Sequence, residues 1–182
     1  MDIDLKYKHD TFPAIVLDLL NKLEAPARLI RHLFVVHFTA INIIENFKRE
    51  WNNLDLDEQS ILLGAATHDI GKIRVTQELN QPGSKHLSEG EKLLLENDFE
   101  PKFARFARTH ENWRNEPLPL DDLLVSLSDE LWKGKRVNDL EELICKEIAK
   151  RLNEDFWNIY MQLGKILEDI ALGSDDRIAY QK

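Results

Sequence analysis

The 182-residue chain predicts an all-α fold, a single-domain helical bundle, on three observations. Apolar residues recur at helical spacing in nearly every segment. Punctuation is sparse, with 7 Gly and 6 Pro, and no stretch shows the alternation of a half-buried strand. Hydrophobic residues at 43% and charged residues at 31% are the profile of an ordinary globular domain, long enough to bury a real core.

Ile15, Val16, Leu19, Leu20 and Leu23 form the first stripe, which Ala25-Pro26 ends. A second helix is expected from Ala27 to about Trp51, with Leu33, His37, Ala40, Ile41, Ile44 and Phe47 on one face. Asp55 to Asp57 reads as the cap of a third helix carrying Ile61, Leu62 and Ala65 and ending near Gly71. Gln81-Pro82-Gly83-Ser84 is the clearest loop. A short helix follows around His86 to Asn97, then one from about Pro101 to His110 with Phe103, Phe106 and Ala107 inward. Glu116-Pro117-Leu118-Pro119 breaks the chain again, and Leu120, Leu123, Leu124, Leu127 and Leu131 mark the next helix. From Asp139 to Ala171 the stripe of Leu140, Ile144, Ile148, Leu152, Phe156, Ile159, Leu163, Ile166 and Ile170 predicts one long amphipathic helix or two in line, with Gly164 as the bend.

A formal charge of -9 and a pI near 5.2 argue against bulk nucleic-acid binding, which wants a basic face. A small anionic substrate stays compatible, because a bound divalent cation outweighs the surrounding field locally. The lone Cys145 allows neither an internal disulfide nor a thiolate zinc site. Met1 to Asp10 has no apolar segment behind a basic one. Runs such as Ile61 to Ala66 are too short to cross a bilayer, so no membrane association is expected and a cytoplasmic protein is the default. Oligomeric state is open at this level.

The chemistry gathers around Thr67-His68-Asp69-Ile70-Gly71-Lys72. Neighbouring side chains on an ideal helix point about 100° apart, so they serve one site only where the helix ends. There the imidazole takes one ion, the carboxylate is free to bridge two, Gly71 lets the chain turn and Lys72 stands by as a phosphate-seeking cation. Further candidates flank this segment: His32 on the preceding helix, His86 after the Pro-Gly loop with small Gly90 one turn on, His110 closing a helix, and Asp129 in an apolar helix.

The order His32, His68-Asp69, His86, His110, Asp129 resembles the HD superfamily of metal-dependent phosphohydrolases, and most of all its subset with extra histidines. The resemblance spans about Arg28 to Arg136, an expected core of 28–136, and the tail at 139–171 matches no part of it. It implies an HD-type bundle in which His32, His68, Asp69 and Asp129 hold one ion, and His86 and His110, with Asp69 bridging, hold a second. The first ligand is either His32 or His37; Val36 and Ala40 continue the family's His-x-x-x-Val-x-x-x-Ala after His32 and favour it. No Gly-Tyr-Pro follows the second motif, and Thr109-His110-Glu111 has one histidine where HD-GYP proteins have two, which argues against cyclic-dinucleotide hydrolysis.

Imidazole and carboxylate ligands suit Fe, Mn, Co, Ni or Zn, with Mg less well matched. Two such ions about 4 Å apart generate a hydroxide at neutral pH and neutralise charge on a phosphoryl group. The resemblance therefore implies hydrolysis of a phosphate ester or anhydride of a nucleotide or small phosphorylated metabolite, with catalytic roles for Asp69 and Lys72. Lys72 and the basic cluster Lys133-Gly134-Lys135-Arg136 are the expected phosphate binders, since arginine offers a bidentate fork. The superfamily also contains di-iron oxygenases, and a non-catalytic metal-holding signalling module is the third alternative.

Each residue also has a plainer reading. His32 and His37 suit simple helix packing, His86 a solvent-exposed position, and His110 compensation of a helix dipole. Asp129 suits an ion pair with Lys133 four residues on, and the basic cluster a solvated face. His9 has no partner motif and reads as surface.

Overall fold

A computed structural model describes residues 11–182; His9 lies outside them. Among the described residues every regular element is helical. The order is α1 (Ala14–Lys22), α2 (Ala27–Glu50), α3 (Glu58–Thr67), 3-10 turns at Ile70–Ile73 and Thr76–Leu79, α4 (Lys85–Glu96), α5 (Pro101–Ala104), α6 (Phe106–Thr109), α7 (Leu120–Leu131), α8 (Asn138–Leu152), α9 (Phe156–Ala171) and α10 (Ser174–Gln181). The all-α expectation holds.

Helix α2 is the axis of the bundle, packing against α3, α7, α9 and α10. It buries Leu33, Val35, Val36, Ala40, Ile43, Ile44 and Phe47. By length and composition it also meets the requirement for crossing a membrane, at a mean hydropathy of 1.3 over an 18-residue window. This corrects the expectation that no run is long enough. Most of that window, 56%, is buried inside the fold, which is how a core helix satisfies the same pattern.

The first helix turns most of its predicted stripe inward. Val16, Leu19 and Leu20 are buried, whereas Ile15 is 60% exposed. Asp57 caps α3 by accepting from the Ser60 N–H at 3.1 Å and the Ser60 hydroxyl at 2.6 Å. That helix ends at Thr67 rather than near Gly71, so the His-Asp pair falls at its last turn.

The tail is two helices, and they are not in line. Asn153 adopts a left-handed φ of 54° that closes α8. Asp155 caps α9 through the Trp157 and Asn158 N–H groups at 3.0 and 3.1 Å. With only this short link between them, α8 and α9 fold back and pack on each other. Gly164 bends nothing and lies inside α9. A further helix, α10, was not foreshadowed by the apolar stripes. It is held by Arg177, a buried guanidinium that donates to the carbonyls of Trp132 at 2.7 Å, Ile170 at 2.9 Å and Leu131 at 3.3 Å. These carbonyls lie at the ends of α7 and α9.

Candidate metal centre

His68 continues the helical conformation of α3, with φ -51° and ψ -39°, and Asp69 departs from it at φ -100° and ψ 7°. The change lets adjacent side chains converge. Gly71 is needed for a different reason from a turn. A Cβ there would lie 2.0 Å from the His86 carbonyl and 2.6 Å from the Gly90 nitrogen. Backbone therefore touches backbone where the turn after Asp69 crosses α4, and that crossing delivers His86. Gly90 makes room for this contact and for the Ala107 methyl, 2.9 Å from where its own Cβ would stand, rather than for an imidazole.

Four donor atoms meet beside α2. His32 Nε2 is 3.2 Å from His68 Nε2, 3.2 Å from Asp69 Oδ2 and 3.3 Å from Asp129 Oδ1. His68 Nε2 is 3.4 Å from Asp129 Oδ1 and 3.7 Å from Asp69 Oδ2. The other Asp69 oxygen faces a second group: Oδ1 lies 3.3 Å from His86 Nε2 and 3.6 Å from His110 Nε2. Glu111 Oε1 closes this group at 3.8 and 3.9 Å from the same two nitrogens. Donors about 2.0–2.2 Å from a shared ion stand roughly 3–4 Å apart, so both groups have the dimensions of a chelate.

The ring orientations are set from behind. His68 Nδ1 is 2.9 Å from the Ala65 carbonyl and His110 Nδ1 3.1 Å from that of Ala107. In the tautomer these carbonyls select, Nδ1–H donates and Nε2 keeps its lone pair for a cation. His86 Nδ1 meets Glu78 Oε2 at 2.7 Å. The Glu78 carboxylate also accepts the backbone N–H groups of His86 at 3.0 Å and Lys85 at 3.1 Å.

The electrostatics fit a cation. Burial alone would raise the Asp69 carboxyl, but the histidines around it, His68 foremost, hold it well below the usual carboxylate range. Asp129 is held low against burial by His32 and His68. Burial would lower the His32 imidazole, yet Asp129 and Asp69 more than offset it and carry it up to about 9. At His68 burial wins, and the ring stays below its ordinary value. Lys72, which burial would lower, is raised by Asp69, whose Oδ2 accepts from its ammonium. Among the described residues, Asp69 Oδ1, His86 Nε2 and His110 Nε2 are buried with no hydrogen-bond partner. Three such atoms facing one another, each able to donate a lone pair, fit a cation. The donor set fits a divalent metal.

His32, His68, Asp69, His86, His110 and Asp129 are thus brought together, and Lys72 stands beside them. His37 is not. It points to the other side of α2, with Nδ1 3.0 Å from the Leu62 carbonyl and Nε2 3.1 Å from that of Thr11. The basic cluster is also elsewhere. Lys133 and Lys135 pair with Glu130 at 3.3 and 2.9 Å, and Arg136 makes a fork on Glu141 at 2.7 Å to each oxygen. All three pair with carboxylates, and none of them lines the hollow that reaches the centre.

The hollow that reaches the centre, about 210 Å³, presents Arg28, Lys72, Trp132 and Gln181 around His32 and Asp69. Two larger surface hollows, of about 400 and 750 Å³, touch none of the six clustered residues. Sequence reasoning passed over Glu78, Glu111, Arg28, Trp132 and Gln181. Only Glu111 carried a usable signal, since it directly follows a histidine at a helix end, as Asp69 does.

Fold and site together define a helical protein with a buried histidine-carboxylate cluster able to hold divalent metal. The HD domain model matches residues 27–134, more than half of the chain, and the protein belongs to the HD domain family. In general that superfamily is one of metal-dependent phosphohydrolases. No curated protein and no solved structure matches the chain.

Proposed function

We propose that this protein is a dinuclear metal-dependent phosphohydrolase, acting on a phosphate ester or anhydride of a nucleotide or small phosphorylated metabolite. The observation that carries the reading is Asp69, whose two oxygens each face a separate pair of histidine nitrogens. In this reading His32, His68, Asp69 Oδ2 and Asp129 would hold one ion. His86, His110, Glu111 and Asp69 Oδ1 would hold the other. Each set then has two imidazoles and two carboxylate oxygens, so neither position is the weaker by ligand count.

Bound metal supplies a water that ionises near neutral pH and positive charge for the phosphoryl oxygens. The chain supplies the rest. Asp69 joins the two ligand sets. Glu78 and the Ala65 and Ala107 carbonyls hold three rings with Nε2 turned inward. Lys72, whose ammonium donates to Asp69 Oδ2, would stand beside a substrate phosphate at the centre.

Metal-loaded protein assayed for phosphate release over a panel of nucleotides and phosphomonoesters tests the reading, with oxygen consumption by the anaerobically iron-loaded protein measured alongside. Asp69→Ala should lose phosphate release and both ions together. Phosphate release surviving in Asp69→Ala, or oxygen uptake with no phosphate released from any compound, would overturn it.

A further inference from the structure

The hollow above the centre differs chemically from the rest of this acidic protein. Its floor is His32 and Asp69, and two cations stand at its rim. Among the described residues no carboxylate lies within ion-pair distance of Arg28; its guanidinium donates only to the Asn80 side-chain carbonyl, at 2.9 Å. Arg28 is one helical turn before His32, so the two share a face of α2. Lys72 is the second cation, and its partner Asp69 belongs to the ligand set.

Opposite them is Trp132. Its ring packs edge-on against His32 with centroids 5.3 Å apart, and its backbone carbonyl is fastened by Arg177. Its indole N–H is buried with no hydrogen-bond partner among the described residues, a state a buried donor seldom keeps. Gln181 of α10 completes the rim. A fork-shaped cation and an ammonium around one hollow are complementary to an oxyanion with several acceptor oxygens.

The size of the hollow narrows the choice. About 210 Å³ lies below the roughly 300–1,000 Å³ of sites that enclose drug-sized ligands. An internal diester or a dinucleoside polyphosphate carries a substituent on both sides of each phosphorus atom, and both would have to be accommodated. A terminal phosphate needs room for one. Two rim cations also match the two negative charges of a monoester better than the single charge of a diester.

We infer that Arg28 and Lys72 form a phosphate collar, with Trp132 as its apolar wall, and that the substrate is a terminal phosphomonoester of a small metabolite. The inference rests on the phosphohydrolase reading and narrows it. In the reaction the oxygen of water bonds to phosphorus and the bond from phosphorus to the organic oxygen breaks. One water proton ends on that oxygen, leaving an alcohol and hydrogen phosphate.

The test uses the full chain loaded with Mn²⁺ and inorganic phosphate, the reaction product, as the probe. Calorimetric titration gives phosphate affinity independently of turnover. Arg28→Ala should weaken phosphate binding roughly tenfold or more, the loss expected for a charge-assisted contact, and raise KM to match. Manganese content should hold, since Arg28 is outside the ligand set. Arg136→Ala, already committed to Glu141, should change neither quantity. A monoester such as p-nitrophenyl phosphate should be cleaved in preference to bis(p-nitrophenyl) phosphate.

The collar is overturned if phosphate fails to bind, or binds Arg28→Ala as tightly as the parent. Preference for the diester would overturn the substrate class. A parent that binds phosphate through Arg28 but releases none from any ester would support the collar while sinking the phosphohydrolase reading, so the two failures are distinguishable.

Discussion

Glu78 and Glu111 bear on the same histidine from opposite sides. Glu78 fixes the rear nitrogen of His86, while Glu111 approaches its front nitrogen. Glu78→Ala should weaken the second ion by about 10- to 100-fold, the usual cost of losing the partner behind a metal-binding histidine, and leave the first ion in place. Elemental analysis after controlled dialysis reads the difference, and two retained ions would refute the assignment. Glu111→Gln should lower occupancy of the same ion with the fold intact; unchanged stoichiometry would remove Glu111 from the ligand set.

His37 behaves differently, because it is buried far from the cluster with both ring nitrogens against carbonyls. Burial holds its pKa below the ordinary 6.5 against the opposing pull of those carbonyls. The unfolded chain therefore binds the proton more readily. The stability this neutral ring contributes is fully present above pH 6.5 and is lost as pH falls from there through the folded-state value. In urea titrations the stability gap between the parent and His37→Asn should narrow over that window; a gap independent of pH would contradict it. At this scale the six ligand candidates were legible because histidines are sparse, at 6, and fell with two aspartates in a recognisable order. Glu78 was not, since nothing in a glutamate eight residues before a histidine signals a backward reach.

The elements matter through their crossings. Gly71 lies where backbone meets the backbone of α4, and a methyl group there has nowhere to go. Gly71→Ala should cost about 1–3 kcal/mol by overpacking, and should loosen the second ion because α4 carries His86. Gly164 is the opposite case, in mid-helix with nothing within 4 Å of the place a Cβ would take. Gly164→Ala should therefore stabilise by roughly 0.5–1 kcal/mol through helix propensity, seen as a higher midpoint in denaturant. A loss of stability would show that the Gly164 carbonyl, which accepts from Arg136 at 3.4 Å, depends on local backbone freedom. Helical periodicity announced most boundaries to within a few residues. It could not tell two helices in line from a hairpin, because an apolar stripe reads the same either way; Asn153 in its left-handed conformation made the choice.

Across the whole molecule the proposed ions tie together parts of the chain that are far apart in sequence, from His32 on α2 to Asp129 on α7. Ions that bind only the folded state should raise its stability by about 2.7 kcal/mol at a hundredfold excess over Kd. Thermal scans with and without chelator measure this, and an unchanged midpoint would argue that the cluster holds no metal. The sequence by itself determined the all-helical class, the family and the identity of the clustered residues, because helical periodicity and ligand type are properties of the chain alone. Only the tertiary structure decided how charges are shared out. Arg136 and Arg28 look equally available in one dimension. Folding places Glu141 against the first and leaves the second at the rim of the hollow, because pairing depends on distance in space and not on spacing along the chain.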